Sequence, residues 1–253
     1  MYVRGNGGVM ILRATAMLVL LLAAGCTYYR PVARQQAMQY TFAPQPSMAV
    51  DSGVYRFLLP YRQRVDSLKL PIAVASAPIA GIALGNFVTD ACLERARQHF
   101  ADTGQPRPHF IMLNSGGLRS PLPQGAITTG NIFELMPFDN RLVMLKVTPE
   151  KMQQVLDYLV ARGGGPVAGI TMQVVDGQHT DVSIDNAPID RQKDYYLVTS
   201  NYLANGGDRF SFFSDSKAMD TGLLMRDVLV DHLKKLTAQG DTLKPNDERR
   251  VRK

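Results

Sequence analysis

Arg141-Leu142-Val143-Met144-Leu145-Lys146-Val147-Thr148-Pro149-Glu150 is the stretch on which the fold turns. Arg141 to Val147 reads as a strand, rich in branched and apolar residues. Thr148-Pro149-Glu150 then opens a helix with a capping hydroxyl, a proline in the first turn and an early acidic residue. That helix runs to about Ala161 and stops at Gly163-Gly164-Gly165-Pro166. Downstream, strand-like segments lie around Val167–Val175, Val182–Ile184 and Tyr195–Ser200, with turn chemistry at Asp185-Asn186. A last helix is expected over about Gly222–Leu236. Upstream, His109–Leu113 reads as a short buried strand. Leu84–Phe100 reads as an amphipathic helix with Leu84, Phe87, Val88, Ala91, Cys92 and Ala96 on one face. Pro71–Ala77 reads as a strand, and Val54–Leu70 has helical spacing, with Pro60 fitting only near the first turn or at a kink. Strands and helices are interspersed without strict alternation, so the expected class is α+β, with mixed sheet layers flanked by helices.

The 253 residues are 45% hydrophobic and 20% charged, which fits one large globular domain with additions. The net charge of +6 arises partly from the terminal Arg249-Arg250-Val251-Arg252-Lys253. No nucleic-acid motif accompanies that run, and a solvated end is expected. The N-terminus has the parts of a secretory signal: Arg4 and Arg13, an apolar run from Ala14 to Ala24, and the small residues Ala23-Ala24-Gly25. The run is shorter than the about 20 residues a membrane span needs. Leu22-Ala23-Ala24-Gly25-Cys26 resembles the bacterial lipobox, which implies acylation of Cys26 and cleavage before it. Several acyl chains anchor a protein stably. Thr27 follows rather than Asp, which in Gram-negative lipoproteins implies outer-membrane sorting. The expected organisation is a signal over 1–25, a polar tether over 26–50 and a domain over 51–253. With two cysteines in the chain and Cys26 acylated, Cys92 has no intramolecular partner and reads as a buried, inert thiol.

Three loops combine glycines with polar or aromatic residues. They are Asn114-Ser115-Gly116-Gly117-Leu118-Arg119, Met136-Pro137-Phe138-Asp139-Asn140 and Asn201-Tyr202-Leu203-Ala204-Asn205-Gly206-Gly207-Asp208. Glycine permits close backbone approach to a ligand, and arginine binds anions bidentately.

In this order and spacing, and with Leu84-Gly85-Asn86-Phe87-Val88-Thr89-Asp90-Ala91 before them, the loops resemble the C-terminal, substrate-recognition domain of the 5′-nucleotidase family. The resemblance covers roughly Val54 to Val251. It implies that Phe138 and Tyr202 sandwich a nucleobase and that Asp208 bonds the ribose hydroxyls. It further implies that Asn114 contacts the nucleoside, Arg119 the phosphate, and Asn140 the base. Base stacking on aromatics gives about 1–3 kcal/mol per ring with little base specificity. One departure bears on phosphate binding. Family enzymes carry arginines shortly before the Leu-Gly-Asn segment, whereas Ala75 to Ala83 here is uncharged.

The family's chemistry belongs to a two-metal phosphatase domain. The four histidines, His99, His109, His179 and His232, lie in no Asp-x-His, Gly-Asp or Gly-Asn-His context. The expectation is therefore a nucleotide-recognition half with no catalytic residue and no cofactor in this chain, divalent metals being expected only in a separately encoded metallophosphatase partner. The alternative left open is a non-catalytic nucleoside- or nucleotide-binding lipoprotein, or a degenerate structural copy. The other expected partners are a nucleotide or nucleoside and a membrane reached through the lipid, with no nucleic acid.

Overall fold

A computed structural model describes residues 52–253. The signal expected over 1–25, Cys26 and the tether expected over 26–50 lie outside the described residues. In chain order the elements are α1 (Ser52–Ser67), β1 (Pro71–Ala75), α2 (Gly81–Asp102), β2 (Phe110–Met112), β3 (Gly125–Thr128) and α3 (Thr129–Leu135). Then come β4 (Arg141–Val147), α4 (Pro149–Ala161), β5 (Val167–Ala168), β6 (Ile170–Val175), β7 (Gln178–Ile184) and β8 (Ala187–Pro188). The chain closes with β9 (Tyr195–Ser200), α5 (Asn201–Ala204), β10 (Met219–Leu224), α6 (Met225–Ala238) and β11 (Val251–Arg252). None of the described helices is long and apolar enough to cross a membrane.

A five-stranded sheet of order β10-β4-β9-β2-β5 forms the centre. β9 pairs antiparallel with β4 and parallel with β2. Because side chains alternate along a strand, each central strand feeds two cores. In β4, Leu142 and Met144 enter one core while Val143, Leu145 and Val147 enter the other. On the first face lie α2, α3, α6 and the β1–β3 pair, contributing Val88, Ile127, Ile132 and Leu229. On the second lie α4, the smaller sheet of order β11-β6-β7-β8, and Phe210 and Phe213. Burial on both faces is why these strands read as continuous apolar runs. The α+β class with mixed sheets flanked by helices is the observed one.

Local chemistry explains most boundaries. Thr148 caps α4, its Oγ1 accepting from the Lys151 N–H at 3.5 Å, with Pro149 in the first turn. Thr128 and Asn131 form a reciprocal capping box at α3, with bonds of 3.2 and 3.0 Å. Cys92 is fully buried in α2, and that burial pushes its thiol up to about 12, which leaves it protonated and inert.

Several expectations are corrected. The last helix begins at Met225, not Gly222, because Met219–Leu224 pairs with β4 as an edge strand. Gly222, at φ +70°, interrupts that pairing, and the Thr221 hydroxyl donates to the Leu142 carbonyl at 2.7 Å. Consequently Tyr195–Ser200 is not the last strand. Pro60 lies in the interior of α1, which excludes the first turn of the two places expected for it. The basic C-terminus is not a solvated end. β11 runs parallel to β6, and Arg250 donates to Asp90 and to the Val167 carbonyl, both at 2.7 Å. The Asn86 side chain holds the same segment by donating to the carbonyls of Asn246 at 2.8 Å and Glu248 at 3.0 Å.

The expected strand over Val167–Val175 is two strands in different sheets, broken at Gly169. Gly169 has φ +74°, and a Cβ there would meet the His109 carbonyl oxygen at 2.4 Å. Backbone strain and a backbone clash coincide, so Gly169→Ala should cost about 3 kcal/mol or more. That corresponds to a fall in melting temperature of roughly 6–12 °C for a domain of this size. A thermal melt that matched the wild type would contradict this account of the β5–β6 break.

Candidate functional site

The strand directions around β9 gather three loops at one end of the central sheet. β2 and β9 are parallel, so both run out toward that end, while the antiparallel β4 starts there. β2 therefore delivers Asn114–Arg119, β4 receives Pro137–Asn140, and β9 delivers Asn201–Asp208.

The first loop makes a short 3-10 turn over Ser115–Gly117, and the Arg119 N–H donates to the Leu135 carbonyl at 2.8 Å. The Arg119 guanidinium donates to the Gly116 carbonyl at 3.2 Å. A Cβ on Gly117 would approach the Asn114 side-chain oxygen at 3.2 Å, so the bare backbone leaves Asn114 its place. The second loop is pinned to the start of α6, where the Met225 N–H donates to the Asn140 carbonyl at 2.9 Å. The second and third loops are tied together by the Asn201 side-chain oxygen, which accepts from the Arg141 N–H at 3.0 Å.

In the third loop Ser200 caps α5, accepting from the Leu203 N–H at 3.2 Å. The Tyr202 hydroxyl donates to the Asp208 carboxylate at 3.2 Å. A Cβ on Gly207 would lie 2.5 Å from the Tyr202 ring, so only glycine lets that ring rest on the backbone. Asp208 and Arg209 have φ of +52° and +65°. Two consecutive non-glycine residues in the left-handed region persist only where their surroundings over-determine them. The Asp208 carbonyl is held from α4, accepting from the Tyr158 hydroxyl at 3.3 Å and from the Arg162 guanidinium at 2.5 Å. The Arg162 guanidinium lies 4.7 Å over the Tyr158 ring, and burial raises the Tyr158 hydroxyl's pKa, keeping it a neutral donor.

These loops enclose a cavity of about 360 Å³ lined by Asn114, Gly116, Gly117, Arg119, Phe138, Asn140, Tyr202 and Asp208. All six residues singled out in the sequence for ligand contact are in this wall. Phe138 and Tyr202 are 45% and 44% exposed. The wall combines two aromatic faces, one carboxylate, two amides and one guanidinium, a set suited to a flat heterocycle carrying hydroxyls and an anionic group. A larger cavity of about 430 Å³, between the start of α2, Gly163–Pro166 and the C-terminal strand, has no aromatic ring in its wall among the described residues. It offers a heterocycle nothing to stack on.

The supports of this site carry no sequence signal: Tyr158 acts from α4 and Arg162 from the residue that caps its end, and nothing in their local sequence marks them. The four histidines lie on different elements: His99 against Phe100, His109 between Tyr195 and Tyr196, His179 near Asp157, and His232 near Glu94. Among the described residues no three His, Cys, Asp or Glu side chains converge so as to hold a metal ion.

Comparisons with known proteins bear on the family and the fold. The family model of the 5′-nucleotidase C-terminal domain matches residues 64–215. The trifunctional nucleotide phosphoesterase protein YfkN of Bacillus subtilis is 30% identical over 67% of this chain and 12% of its own length. The 5′-nucleotidase of Vibrio cholerae is 28% identical over 72% of this chain and 34% of its own. The chain thus spans only about a third or less of these relatives. The crystal structure of a 5′-nucleotidase precursor from Thermus thermophilus superimposes with a TM-score of 0.62 at 26% identity, over 79% of this chain and 43% of that one. Motifs, fold and matched residues agree, and the chain belongs to the 5′-nucleotidase C-terminal domain family.

Proposed function

We propose that this chain is the nucleotide-recognition half of a 5′-nucleotidase-type phosphohydrolase in nucleotide catabolism. The observation that carries the reading is the single cavity in which Phe138, Tyr202, Asp208, Asn114, Asn140 and Arg119 meet. Phe138 and Tyr202 take a nucleobase between their exposed faces. Asp208 accepts from the ribose hydroxyls, and the Tyr202 hydroxyl, already bonded to Asp208, aligns that carboxylate. Asn114 and Asn140 bond the nucleoside, and Arg119 meets the phosphate. Water activation is the work of two metal ions held by a separate metallophosphatase. Residues 1–25 direct export, and acylated Cys26 tethers the domain to the cell envelope through 26–50. Sharing a membrane with its partner raises the effective concentration of each for the other.

A second reading has one observation in its favour. Among the described residues Arg119 is the only cation in the cavity wall, and Ala75–Ala83 is uncharged. That suits a non-catalytic lipoprotein that binds nucleosides as well as nucleotides.

Calorimetry separates the two. Phe138→Ala and Tyr202→Ala should each weaken adenosine and AMP binding by about 5- to 150-fold, the equivalent of losing one stacked ring. Arg119→Met should weaken AMP binding and spare adenosine; equal affinity of the wild type for adenosine and AMP favours the second reading. Failure of the wild type to bind either compound, or unaltered binding in both ring variants, removes the nucleotide site altogether. The purified chain with Mn²⁺, Zn²⁺ or Mg²⁺ should leave AMP intact, and turnover would show a catalytic centre of its own. Cells fed a fatty-acid analogue should label the wild type and not Cys26→Ser; equal labelling would refute the anchor.

A further inference from the structure

Phe138 stands on a short loop, and one side chain from another element grips that loop on both sides of it. Arg226, the second residue of α6, is 13% exposed. One guanidinium nitrogen, Nη1, donates to the carbonyls of Met136 and Phe138, both at 3.3 Å. The other, Nη2, donates to the Asp139 carboxylate at 2.5 Å. The plane of the group rests on Phe133 of α3, with Cζ 4.2 Å from the ring centroid. Nε is buried and makes no hydrogen bond among the described residues. Arg226 is absent from the cavity wall.

A planar fork stacked on a ring can hold three acceptors in one geometry, and no other side chain can do so. Elsewhere the loop is tied at its ends, by the Met136 N–H to the Ile132 carbonyl and the Met225 N–H to the Asn140 carbonyl, both at 2.9 Å, whereas Arg226 holds its middle. Asp139 is 78% exposed at its side chain and Phe138 nearly half exposed, so neither is packed into the core. We infer that Arg226 is the positioning residue of the site: it fixes the loop so that the Phe138 ring is presented to the cavity before any ligand arrives. A preorganised ring spares binding the cost of ordering the loop. The inference rests on the reading of the cavity as a nucleoside cleft only for its effect on affinity; the loop-holding itself does not depend on that reading.

The chain contains no tryptophan, so Phe138→Trp places a sole tryptophan on the loop, to be excited selectively at the red edge where the ten tyrosines do not absorb. In the ligand-free protein, adding Arg226→Met to Phe138→Trp should lower steady-state anisotropy and raise acrylamide quenching. Unchanged anisotropy and quenching overturn the inference whatever nucleotides do. With Phe138 intact, Arg226→Met should weaken adenosine and AMP equally, by about tenfold. Loss confined to AMP would mean that Arg226 acts as a remote phosphate charge and would overturn positioning. Arg226→Lys should resemble Arg226→Met, because a point charge cannot replace the fork; full rescue by Lys overturns the inference too. If Arg226→Met fails to fold, Asp139→Asn loosens the same grip from its exposed side and should shift both fluorescence readings in the same direction; unchanged readings there overturn the inference. Looser tryptophan readings on adding Arg226→Met, together with a wild type that binds no nucleotide, would refute the proposed function and leave the loop-holding role standing.

Discussion

The hydrogen bonds of β9, antiparallel to β4 on one side and parallel to β2 on the other, determine where the rest of the molecule can stand. A strand paired on both edges has no freedom to slip, since a shift of one residue would exchange its two buried faces. Tyr195 and Leu197 belong to one core and Val198 to the other, so register and packing specify one another. The same pairing decides that two strands end and one begins at a common edge of the sheet. The cavity is a product of topology before it is a product of its side chains.

Much of the fold was legible because the central strands are buried on both faces and the helices carry their own start signals. Arg141–Val147 and Tyr195–Ser200 need no partner to be recognised, and Thr148-Pro149-Glu150 announces α4 from local chemistry alone. The elements that escaped notice depend on distant partners. β10 is a strand only because β4 stands beside it and Thr221 reaches Leu142; its own residues continue smoothly into an apolar helix. β3 and α3 carry no strand or helix reading in the sequence, and the capping box of α3 uses Asn131 where Glu or Gln is the usual signal. The C-terminal segment reads as charge seeking water because the pairing of Arg250 with Asp90 spans the whole domain.

The site divides along the same line. Residues in its wall were visible because glycines, aromatics and a carboxylate crowd into short loops. The residues that hold those loops were not, since Tyr158, Arg162 and Arg226 sit in ordinary helical sequence and matter only through folding. Their geometry is demanding: the Asp208 backbone is in a conformation that glycine would adopt more readily, yet its carboxylate excludes glycine there. Helix α4 and its C-terminal cap keep Asp208 in that conformation through two donors, Tyr158 and Arg162, to one carbonyl. The wall and its supports are therefore one unit, though only the wall announces itself.

The grip of Asn86 on Asn246 and Glu248, with that of Ser76 on the Leu243 carbonyl, joins residues some 160 positions apart in the chain. Contacts of such sequence separation are expensive to close and are made late, so a domain built on them assembles slowly. No early local unit contains the three loops of the cleft, because β2, β4 and β9 are themselves far apart in sequence. The cleft therefore exists only once these distant segments have met, and no fragment of the chain that lacks one of them can carry it.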